Sequence, residues 1–406
     1  MAIGNKSNQI KTSQIYSEGK FPVISQGKNL IDGYSNRLEK KVDILPLVMF
    51  GDHTRNVKYI DFEFIIGGEG TKFHKILSSN AKYVYYWMLY ISGLLRNRGY
   101  ARHYTLIKTQ LMPLPPLAEQ KRIVEELKNI LPLVETYGEK QEQLEKLNES
   151  FPERLKKSIL QESVQGKLVP QDPSDEPSSV LLERIRKEKE KLIKEGKIKK
   201  SKNESIIYRR DNSHYEKLNG VERCIDDKIP FEIPDSWEWV RLGTILSVIS
   251  DGTHKTPTYM NQGIPFLSVK NISPGYFDLS NLKFISEKEH CQLTKRIYPQ
   301  FGDILFCRIG TLGKAIKNTL DFEFSIFVSL GLLRTVKLEL ADFIILCINS
   351  PLGDNWIKNN KVGGGTHTFK INLSDIPKML VPIPPLAEQK RIVETLNSLL
   401  SKIEQL

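Results

Sequence analysis

The sequence contains few cysteines, and none is placed for a metal or redox site. The four cysteines, Cys224, Cys291, Cys307 and Cys347, form no Cys-x-x-Cys pair and no His/Cys ligand spacing. Four widely spaced cysteines in a chain of this length do not suggest a disulfide framework. We therefore expect free thiols in a reducing cytoplasm.

Long apolar runs are also missing. The first residues, MAIGNKSNQIK, contain no apolar signal region. The most apolar stretch, 84–95, is well short of the roughly 18 residues that cross a membrane. We expect a soluble cytoplasmic protein with no membrane partner.

The motifs that usually mark catalysis or cofactor binding are absent. The segment 310–315, GTLGKA, is too short and lacks the Ser or Thr of a phosphate-binding loop, and no GxGxxG motif occurs. The two Pro-Pro pairs, at 115–116 and 384–385, are followed by Leu and not by the Tyr or Phe of an adenine-methyltransferase motif. We expect no catalytic residue, no metal site and no cofactor in this chain.

A strong positive charge is confined to one segment. The net charge is +11, but residues 184–202 hold ten Lys or Arg and three Glu and so contribute +7 of it. A run of this kind is usually a solvated helix face or a linker. The charge permits a polyanionic partner without requiring one.

The most informative feature is an internal repeat. Segment 113–127, PLPPLAEQKRIVEEL, returns as 382–396, PIPPLAEQKRIVETL, with 13 of 15 positions identical. Asp43-Ile44-Leu45 matches 303–305, DFEF at 61–64 matches 321–324, and PVIS at 22–25 resembles PFLS at 265–268. The chain is therefore a tandem duplication of a variable domain followed by a nearly constant helix.

The apolar pattern places a long helix after each variable domain. Apolar residues recur at three- and four-residue steps over 123–159, with coiled-coil character, and predict a helix from Ala118 to about Val164. Pro132 and Pro152 are expected to kink or break it. The matching stripe is in the second copy's helix, from Ala387, so we expect the two helices to pair antiparallel about a pseudo-twofold axis.

The predicted fold is of the α+β class, with two mixed α/β domains separated by long helices that pair as an antiparallel coiled coil. We place the first variable domain at 1–112, the first constant helix at 113–165, and a short helix with a basic linker at 166–230. The second variable domain is 231–381 and the second, short helix is 382–406. Within the first domain, 83–95 is expected to be a buried helix.

Four polar residues at each junction agree between the copies, although packing alone would preserve only apolar ones. We expect them to face solvent and bind the same partner twice; a recent duplication is the alternative explanation. These residues are Glu119, Gln120, Lys121 and Arg122 in the first copy and Glu388, Gln389, Lys390 and Arg391 in the second.

The repeated junction and the order of the domains in this chain resemble those of the specificity subunits of type I restriction-modification systems. Their junction signature is similar to PPLAEQKRIV at 115–124 and 384–393, and WEWVRLG at 237–243 resembles the usual opening of a recognition domain. GKLV at 166–169 resembles the end of the central constant region. The first copy lacks a counterpart of 237–243, and the second lacks counterparts of 137–169, so its helix is expected to reach about halfway along the first.

The resemblance implies a non-catalytic subunit that binds double-stranded DNA. Each recognition domain would read one half of a bipartite target, and the helices would set the gap between the halves. Two modification subunits would bring S-adenosylmethionine and methylate adenine, and motor-nuclease restriction subunits would use ATP. The alternative is a non-catalytic coiled-coil scaffold that joins two protein partners.

DNA readout requires polar side chains presented from loops toward base edges and phosphates. We chose candidates from loops at similar positions in the two copies, where the polar residues differ. The candidates are Gln26, Lys28, Asn29, His53, Arg55, Asn56, Arg102 and His103 in the first copy and His254, Lys255, Lys270, Asn271, Arg308, Lys314 and His367 in the second.

Overall fold

The structure, a computed structural model, describes residues 2–3, 9–96, 102–199, 205–364 and 367–405. It divides into two compact units, Met1–Glu145 and Lys146–Leu406. None of the helices within the described residues combines the length and apolar composition needed to cross a bilayer.

Among its described residues, the first unit contains two small sheets, two short helices and the start of a long one. Its strands are β1 (Ala2–Ile3), β2 (Gln9–Ile10), β3 (Phe21–Ile24), β4 (Gly33–Ser35), β5 (Lys41–Val42), β6 (Leu47–Gly51), β7 (Val57–Ile60), β8 (Phe64–Gly67) and β9 (Thr71–Lys75), and its helices are α1 (Ala81–Leu94), α2 (Tyr104–Ile107) and the start of α3 (Leu117–Val164). One sheet has the order β1-β9-β6-β7 and the other β2-β8-β3-β4, with β5 also paired to β8.

The second unit begins within α3 and continues through further strands and helices. After α4 (Ser178–Lys194) come β10 (Ser205–Arg210), β11 (Ser213–Leu218), β12 (Val221–Cys224), β13 (Glu238–Arg241), α5 (Leu242–Ile245), β14 (Leu246–Asp251), β15 (Ile264–Leu267), β16 (Lys283–Ile285), α6 (Glu287–Leu293), β17 (Ile304–Cys307), β18 (Ala315–Lys317), β19 (Ser325–Ile326), β20 (Leu330–Thr335), α7 (Ala341–Asn349), α8 (Pro351–Asn360), β21 (Val362–Gly364), β22 (His367–Lys370), β23 (Leu380–Ile383) and α9 (Leu386–Ile403).

The two units repeat the same sheet topology. The order β14-β20-β17-β18 in the second unit corresponds to β1-β9-β6-β7 in the first. The second sheet also repeats, because β15 pairs antiparallel with β16 and parallel with β19, as β3 pairs with β4 and β8. The duplication predicted from the sequence is therefore a duplication of fold.

Strand register confirms two of the sequence matches and corrects one. Val23 pairs with Ile65 and Phe266 with Ser325, so the PVIS and DFEF matches occupy equivalent positions. The Asp43-Ile44-Leu45 match to 303–305 is wrong. Phe50 in β6 pairs with Val57 in β7 and with Lys72 in β9. Phe306 in β17 pairs in the same way with Ala315 in β18 and Gly331 in β20. Phe50 is therefore the counterpart of Phe306, and the counterparts of 303–305 lie in β6, after 43–45.

The helix predicted at 83–95 is confirmed as α1. Asn80 begins it by accepting hydrogen bonds from the backbone N–H groups of Lys82 and Tyr83, which would otherwise have no partner in the first turn. Val84 and Met88 on one face of α1 are buried against the β6–β7 sheet with Val48 and Phe50.

The long helix α3 matches its predicted span but continues through both prolines. It runs unbroken over 48 residues, or roughly 70 Å at 1.5 Å per residue, so of the two expected effects of Pro132 and Pro152, a kink or a break, the break does not occur. Its last turns share the core of the second unit with α9, through Leu160, Val164, Ile392 and Leu396. The apolar residues in the middle of α3 are exposed: Ile130, Leu133, Val134, Tyr137, Leu144, Leu147 and Phe151.

The linker expected after α4 is partly a folded sheet. Strands β10, β11 and β12 form an antiparallel meander over 205–224, joined at its second turn by Asn219 and Gly220. Both turn residues have positive φ, 51° and 85°, as a two-residue hairpin turn of type I′ requires. The meander packs its Ile207 and the following Ile225 into the core that also holds Trp237 and Trp239.

Candidate nucleic-acid interface

In the second unit, the loops at one end of the β14-β20-β17-β18 sheet meet on a buried arginine. Arg308 follows β17 and is only 6% exposed. Its Nη1 donates to Asp251 Oδ2 at 2.8 Å and to the Val328 carbonyl at 3.1 Å, and its Nε donates to the Ile371 carbonyl at 3.2 Å. One side chain therefore ties together four chain segments that are far apart in the sequence.

Asp251 is the anionic partner in this network and is 1% exposed. It also contacts the guanidinium of Arg296 and lies 3.0 Å from His254 Nε2. Burial lowers the pKa of Arg308, and the negative charge of Asp251 opposes that shift. A buried charge pair with this many hydrogen bonds fixes the loops around it.

A glycine brings the end of β14 close to the neighbouring strand. A Cβ on Gly252 would overlap the carbonyl of Ile326, so only glycine fits beside β19 at this point. Thr253 continues the contact, because its backbone N–H donates to Ile326 and its carbonyl accepts from Val328. The loop that carries His254 and Lys255 is thereby held in place by its backbone.

Two residues predicted to contact DNA from the second unit are buried within the protein. Arg308 is enclosed by the network above, which binds its Nε and Nη1 donors. Asn271 is also buried: its Oδ1 accepts from the Ser268 backbone at 2.9 Å and its Nδ2 donates to the Asp278 carbonyl at 3.1 Å. Both side chains are buried and bind neighbouring protein groups in this structure.

In the first unit, Gln26 organises the corresponding loops. Its Oε1 accepts from the His53 backbone at 3.1 Å and its Nε2 donates to the Glu69 carbonyl at 3.1 Å. Its own carbonyl accepts from Thr54 Oγ1 at 2.6 Å and Asn56 Nδ2 at 2.9 Å. The half-buried Gln26 and Asn56, both predicted to contact DNA, thus bind protein groups.

His103 and Arg55 are also bound to neighbouring segments. His103, which was predicted to contact DNA, is 0% exposed, and its Nδ1 lies 3.1 Å from the Asp52 carbonyl. Arg55 has a φ of 63°, and its Nη1 donates to the Leu95 carbonyl at 2.7 Å. It is half-buried, and that hydrogen bond ties the β6–β7 turn to the end of α1.

The two units use one backbone frame with different side chains. The Asp52 N–H donates to the Gly70 carbonyl at 2.7 Å, as the Arg308 N–H donates to Ser329 at 3.0 Å. The Asp52 carbonyl accepts from His103 N–H at 2.8 Å, as the Arg308 carbonyl accepts from Ile371 at 2.9 Å. The acidic Asp52 and the basic Arg308 therefore occupy equivalent buried positions. The Asp52 side chain also binds its own surroundings, since its Oδ1 accepts from the Tyr104 N–H at 2.9 Å.

The remaining candidates divide by exposure. His53 is half-buried, and His367 lies in β22 with its side chain outside the described residues. The exposed candidates, which are free to approach a partner, are Lys28, Asn29, Arg102, His254, Lys255, Lys270 and Lys314. In the second unit, His254, Lys255, Lys270 and Lys314 lie on the loops next to Asp251, Asn271 and Arg308.

The junction residues do not all face solvent, which corrects the expectation for Gln120, Glu388 and Gln389. Each of these three side chains is buried. Gln120 Nε2 donates to the Pro115 carbonyl at 2.8 Å, and Gln389 Nε2 makes the same bond to Pro384 at 2.9 Å. A glutamine at this position caps the Pro-rich turn that begins each helix, which is a structural reason for its repetition.

The acid and the arginine of the second junction are bound within the second unit. Glu388 is 1% exposed and accepts from Trp237 Nε1 at 2.9 Å and from Gln171 Nε2 at 2.6 Å. Burial raises its pKa, and these two hydrogen bonds oppose the rise. Arg391 contacts Asp175 through both terminal nitrogens, at 2.6 and 3.2 Å.

The first junction, with the same sequence, leaves those positions open. Glu119, Lys121 and Arg122 are exposed, and so is Lys390 in the second copy. Of the four repeated polar residues at the first junction, only Gln120 is therefore buried.

Within the described residues, no group of three His, Cys, Asp or Glu side chains is placed to hold a metal ion. The four cysteines are free thiols. Burial raises the pKa of the Cys307 thiol to about 12 and raises that of Cys347 further, so both are protonated at neutral pH and act as small apolar side chains.

Sequence comparison identifies the family. A model of the type I restriction modification DNA specificity domain matches residues 2–146 and 234–405, one match in each half of the duplication. The chain belongs to this family. The two matched regions contain the repeated sheets and lie on either side of the end of α3, of α4 and of the meander.

Two proteins that are similar in sequence to this chain are specificity subunits of restriction enzymes. The chain is 30% identical over 291 residues to the type I restriction enzyme EcoAI specificity subunit of Escherichia coli, covering 68% of this chain and 45% of that protein. It is 21% identical over 398 residues to the Escherichia coli EcoR124I/EcoR124II specificity subunit, covering 96% and 81%. The chain spans less than half the length of the first relatives it matches.

A solved structure in the comparison is the HsdS subunit from Thermoanaerobacter tengcongensis, at 16% identity and a TM-score of 0.43, covering 98% of this chain and 83% of that one.

Proposed function

We propose that this chain is the sequence-specific DNA-binding subunit of a type I restriction-modification complex, with each recognition domain contacting one half of a bipartite target. The observation that carries the proposal is the repeated backbone frame at Asp52 and Arg308, which holds equivalent loops bearing different polar residues. Two copies of one frame with different loop chemistry suit two unlike half-sites.

The exposed polar residues divide naturally into two roles. Lys28, Lys255, Lys270 and Lys314 are suited to phosphate contacts, which position a protein on the duplex without selecting a sequence. Asn29, Arg102 and His254 have the donors and acceptors that discriminate base edges. The half-buried Gln26 and the buried Asp52, Asp251 and Arg308 would act as positioning residues for these side chains.

The chain would act by directing other subunits. The named relatives are specificity subunits of restriction enzymes, so modification subunits carrying S-adenosylmethionine and restriction subunits using ATP are the partners we propose. Glu119, Lys121, Arg122 and Lys390 are the exposed junction residues for the modification subunits. The helices would set the spacing between half-sites.

A scaffold without DNA affinity is the second candidate function. It is favoured by the exposed apolar residues in the middle of α3, which suit a protein partner. The two candidates differ in one measurable respect, because only a DNA-binding subunit has an affinity for duplexes that falls steeply with salt.

Replacing Lys255, Lys270 and Lys314 together by alanine will reduce the dependence of DNA affinity on salt. Each lost phosphate contact lowers the slope of log K against log salt by about 0.9, so the triple variant should lose up to about 3. Fluorescence anisotropy with the chain and its modification subunit on a random-sequence duplex pool measures this slope.

The matched control replaces three exposed lysines on helices, Lys191, Lys194 and Lys402, and should leave the slope unchanged. An equal reduction of this slope in both triple variants would contradict the proposal that the loop lysines contact phosphates. Affinity that does not vary with salt in the unaltered protein would favour the scaffold.

A further inference from the structure

The β10–β12 meander has an unpaired edge. Of the described strands, β12 pairs only with β11, and all four of its residues are exposed. An exposed strand edge offers backbone donors and acceptors to an added strand. This part of the chain lies between the two regions that match the family model.

The register shows which backbone groups face outward. Leu218 and Val221 flank the two-residue turn, and the Ile225 N–H donates to the His214 carbonyl at 2.8 Å. Hydrogen-bonded pairs alternate with non-bonded ones in an antiparallel ladder. Glu222 and Cys224 therefore direct their N–H and C=O groups away from β11, toward the open edge.

A groove runs beside this edge and has a volume of about 620 Å³. One face of the meander forms one wall, and the other wall includes Arg241 and the turn at 377–378. The lining residues are Ser205, Glu216, Leu218, Asn219, Val221, Arg223, Ile225, Lys228, Arg241, Pro377 and Lys378.

The groove carries excess positive charge. Its single carboxylate, Glu216, is already bound by Arg241 through two contacts of 2.8 Å, and this hydrogen bonding lowers the pKa of Glu216. Lys378 pairs with Asp375 at 2.8 Å. Arg223 and Lys228 make no salt bridge with any described residue, so they are available to an anionic ligand.

The lining is mixed and not purely cationic. Val221 is 54% exposed and Leu218 is 38% exposed, and both border the groove. Phosphates would gain nothing from these side chains and would leave the outward carbonyls of Glu222 and Cys224 without donors. The same carbonyls suit the N–H groups of a polypeptide strand, and the aliphatic side chains suit the stems of its acidic residues.

We propose that this groove binds an extended segment of a partner protein that adds to β12 as a fourth strand and carries acidic side chains at alternate positions. The alternation follows from strand geometry, since every second side chain faces the same side. Carboxylates on the groove side would meet Arg223 and Lys228. This interaction goes beyond DNA recognition and does not depend on it.

The test uses the full chain and a fluorescein-labelled peptide of about ten residues with alternating Glu and Thr, long enough to pair with all of β12. We expect it to bind, and a matched peptide with Lys in place of Glu to bind at least about tenfold more weakly. N-methylation of alternate backbone nitrogens, which removes the donors facing β12, should abolish binding.

Two charge reversals locate the site. Arg223→Glu should weaken the binding of the acidic peptide by at least about tenfold. Lys217→Glu, an equal charge change on the opposite face of the meander, should change binding by less than about twofold. The N-methylated peptide tests the unaltered protein and so does not depend on the variants folding.

Equal binding of the acidic and basic peptides would overturn the proposal, as would an Arg223→Glu variant that binds like the unaltered protein. Random-sequence duplex DNA could instead displace the acidic peptide, with Arg223→Glu losing DNA affinity. That pair of results would show that the groove binds nucleic acid and would also overturn the proposal.

Discussion

Replacing Arg308 by alanine will lower the free energy of unfolding of the second unit by about 3–5 kcal/mol, because it leaves a buried carboxylate without its main partner. Asp251 is 1% exposed and would keep only Arg296 and His254, which lie nearer to solvent. The carbonyls of Val328 and Ile371 would lose their donor as well. Denaturant unfolding followed by tryptophan fluorescence measures the change, since Trp237, Trp239 and Trp356 all belong to this unit.

The control is Lys314→Ala on the same loop, which is exposed and should change stability by less than about 0.5 kcal/mol. Combining Arg308→Met with Asp251→Leu removes both charges and should recover much of the loss. A loss below about 1 kcal/mol in Arg308→Ala would show that the pair does not hold the loops together.

Glu388→Ala will destabilise the second unit by about 2–4 kcal/mol, whereas Glu119→Ala will change stability by less than about 0.5 kcal/mol. The two residues occupy the same position in identical motifs, but only Glu388 is buried. Its removal leaves the indole N–H of Trp237 without an acceptor and leaves the amide of Gln171 with only the longer bond to the Gly166 carbonyl, at 3.2 Å. Denaturant unfolding of both variants gives the comparison, and similar losses in the two would contradict the difference between the junctions.

Glu388→Gln adds a dependence on pH to the same test. Burial raises the pKa of Glu388 above its usual 4.5, so the folded protein binds the proton more tightly than the unfolded chain. The contribution of Glu388 is therefore most favourable below pH 4.5 and decreases as the pH rises through the folded-state pKa. The stability of the unaltered protein relative to Glu388→Gln should increase as the pH falls through this interval.

The duplication and its helices could be predicted from the sequence because each leaves a long local pattern. The junction repeat spans 15 positions, and the helical stripe extends over many turns, so α1, α3 and α9 were placed within a few residues. The three-residue match of 43–45 to 303–305 was too short to fix a strand register. Asp303 is buried against Arg334 on β20, whereas Asp43 is exposed before β6 begins.

The meander could have been predicted. Asn219-Gly220 is a strong hairpin signal, because both residues readily adopt the positive φ that a two-residue turn requires. The high Lys, Ser and Asn content of the preceding residues favoured the linker interpretation instead. The linker prediction followed the local composition, although the Asn-Gly turn motif, which favours positive φ at both residues, was the better indicator of structure.

The positioning residues of the interface could not be predicted, since their partners are distant in the sequence. Arg308 and Asp251 are brought together only when β17 and β14 both pair with β20. Glu388 is buried because Gln171 and Trp237 pack onto the start of α9. A polar residue in a loop looks the same in the sequence whether it faces DNA or holds a neighbouring loop.

The most direct test of the central claim is a genome-wide map of N6-methyladenine in cells that express this chain with its modification subunit. We predict methylation at one bipartite motif with two unlike halves and a fixed gap, which disappears when this chain is omitted. A complex that forms but adds no methylation, or methylation without a two-part motif, would contradict the account that each domain reads one half of the target.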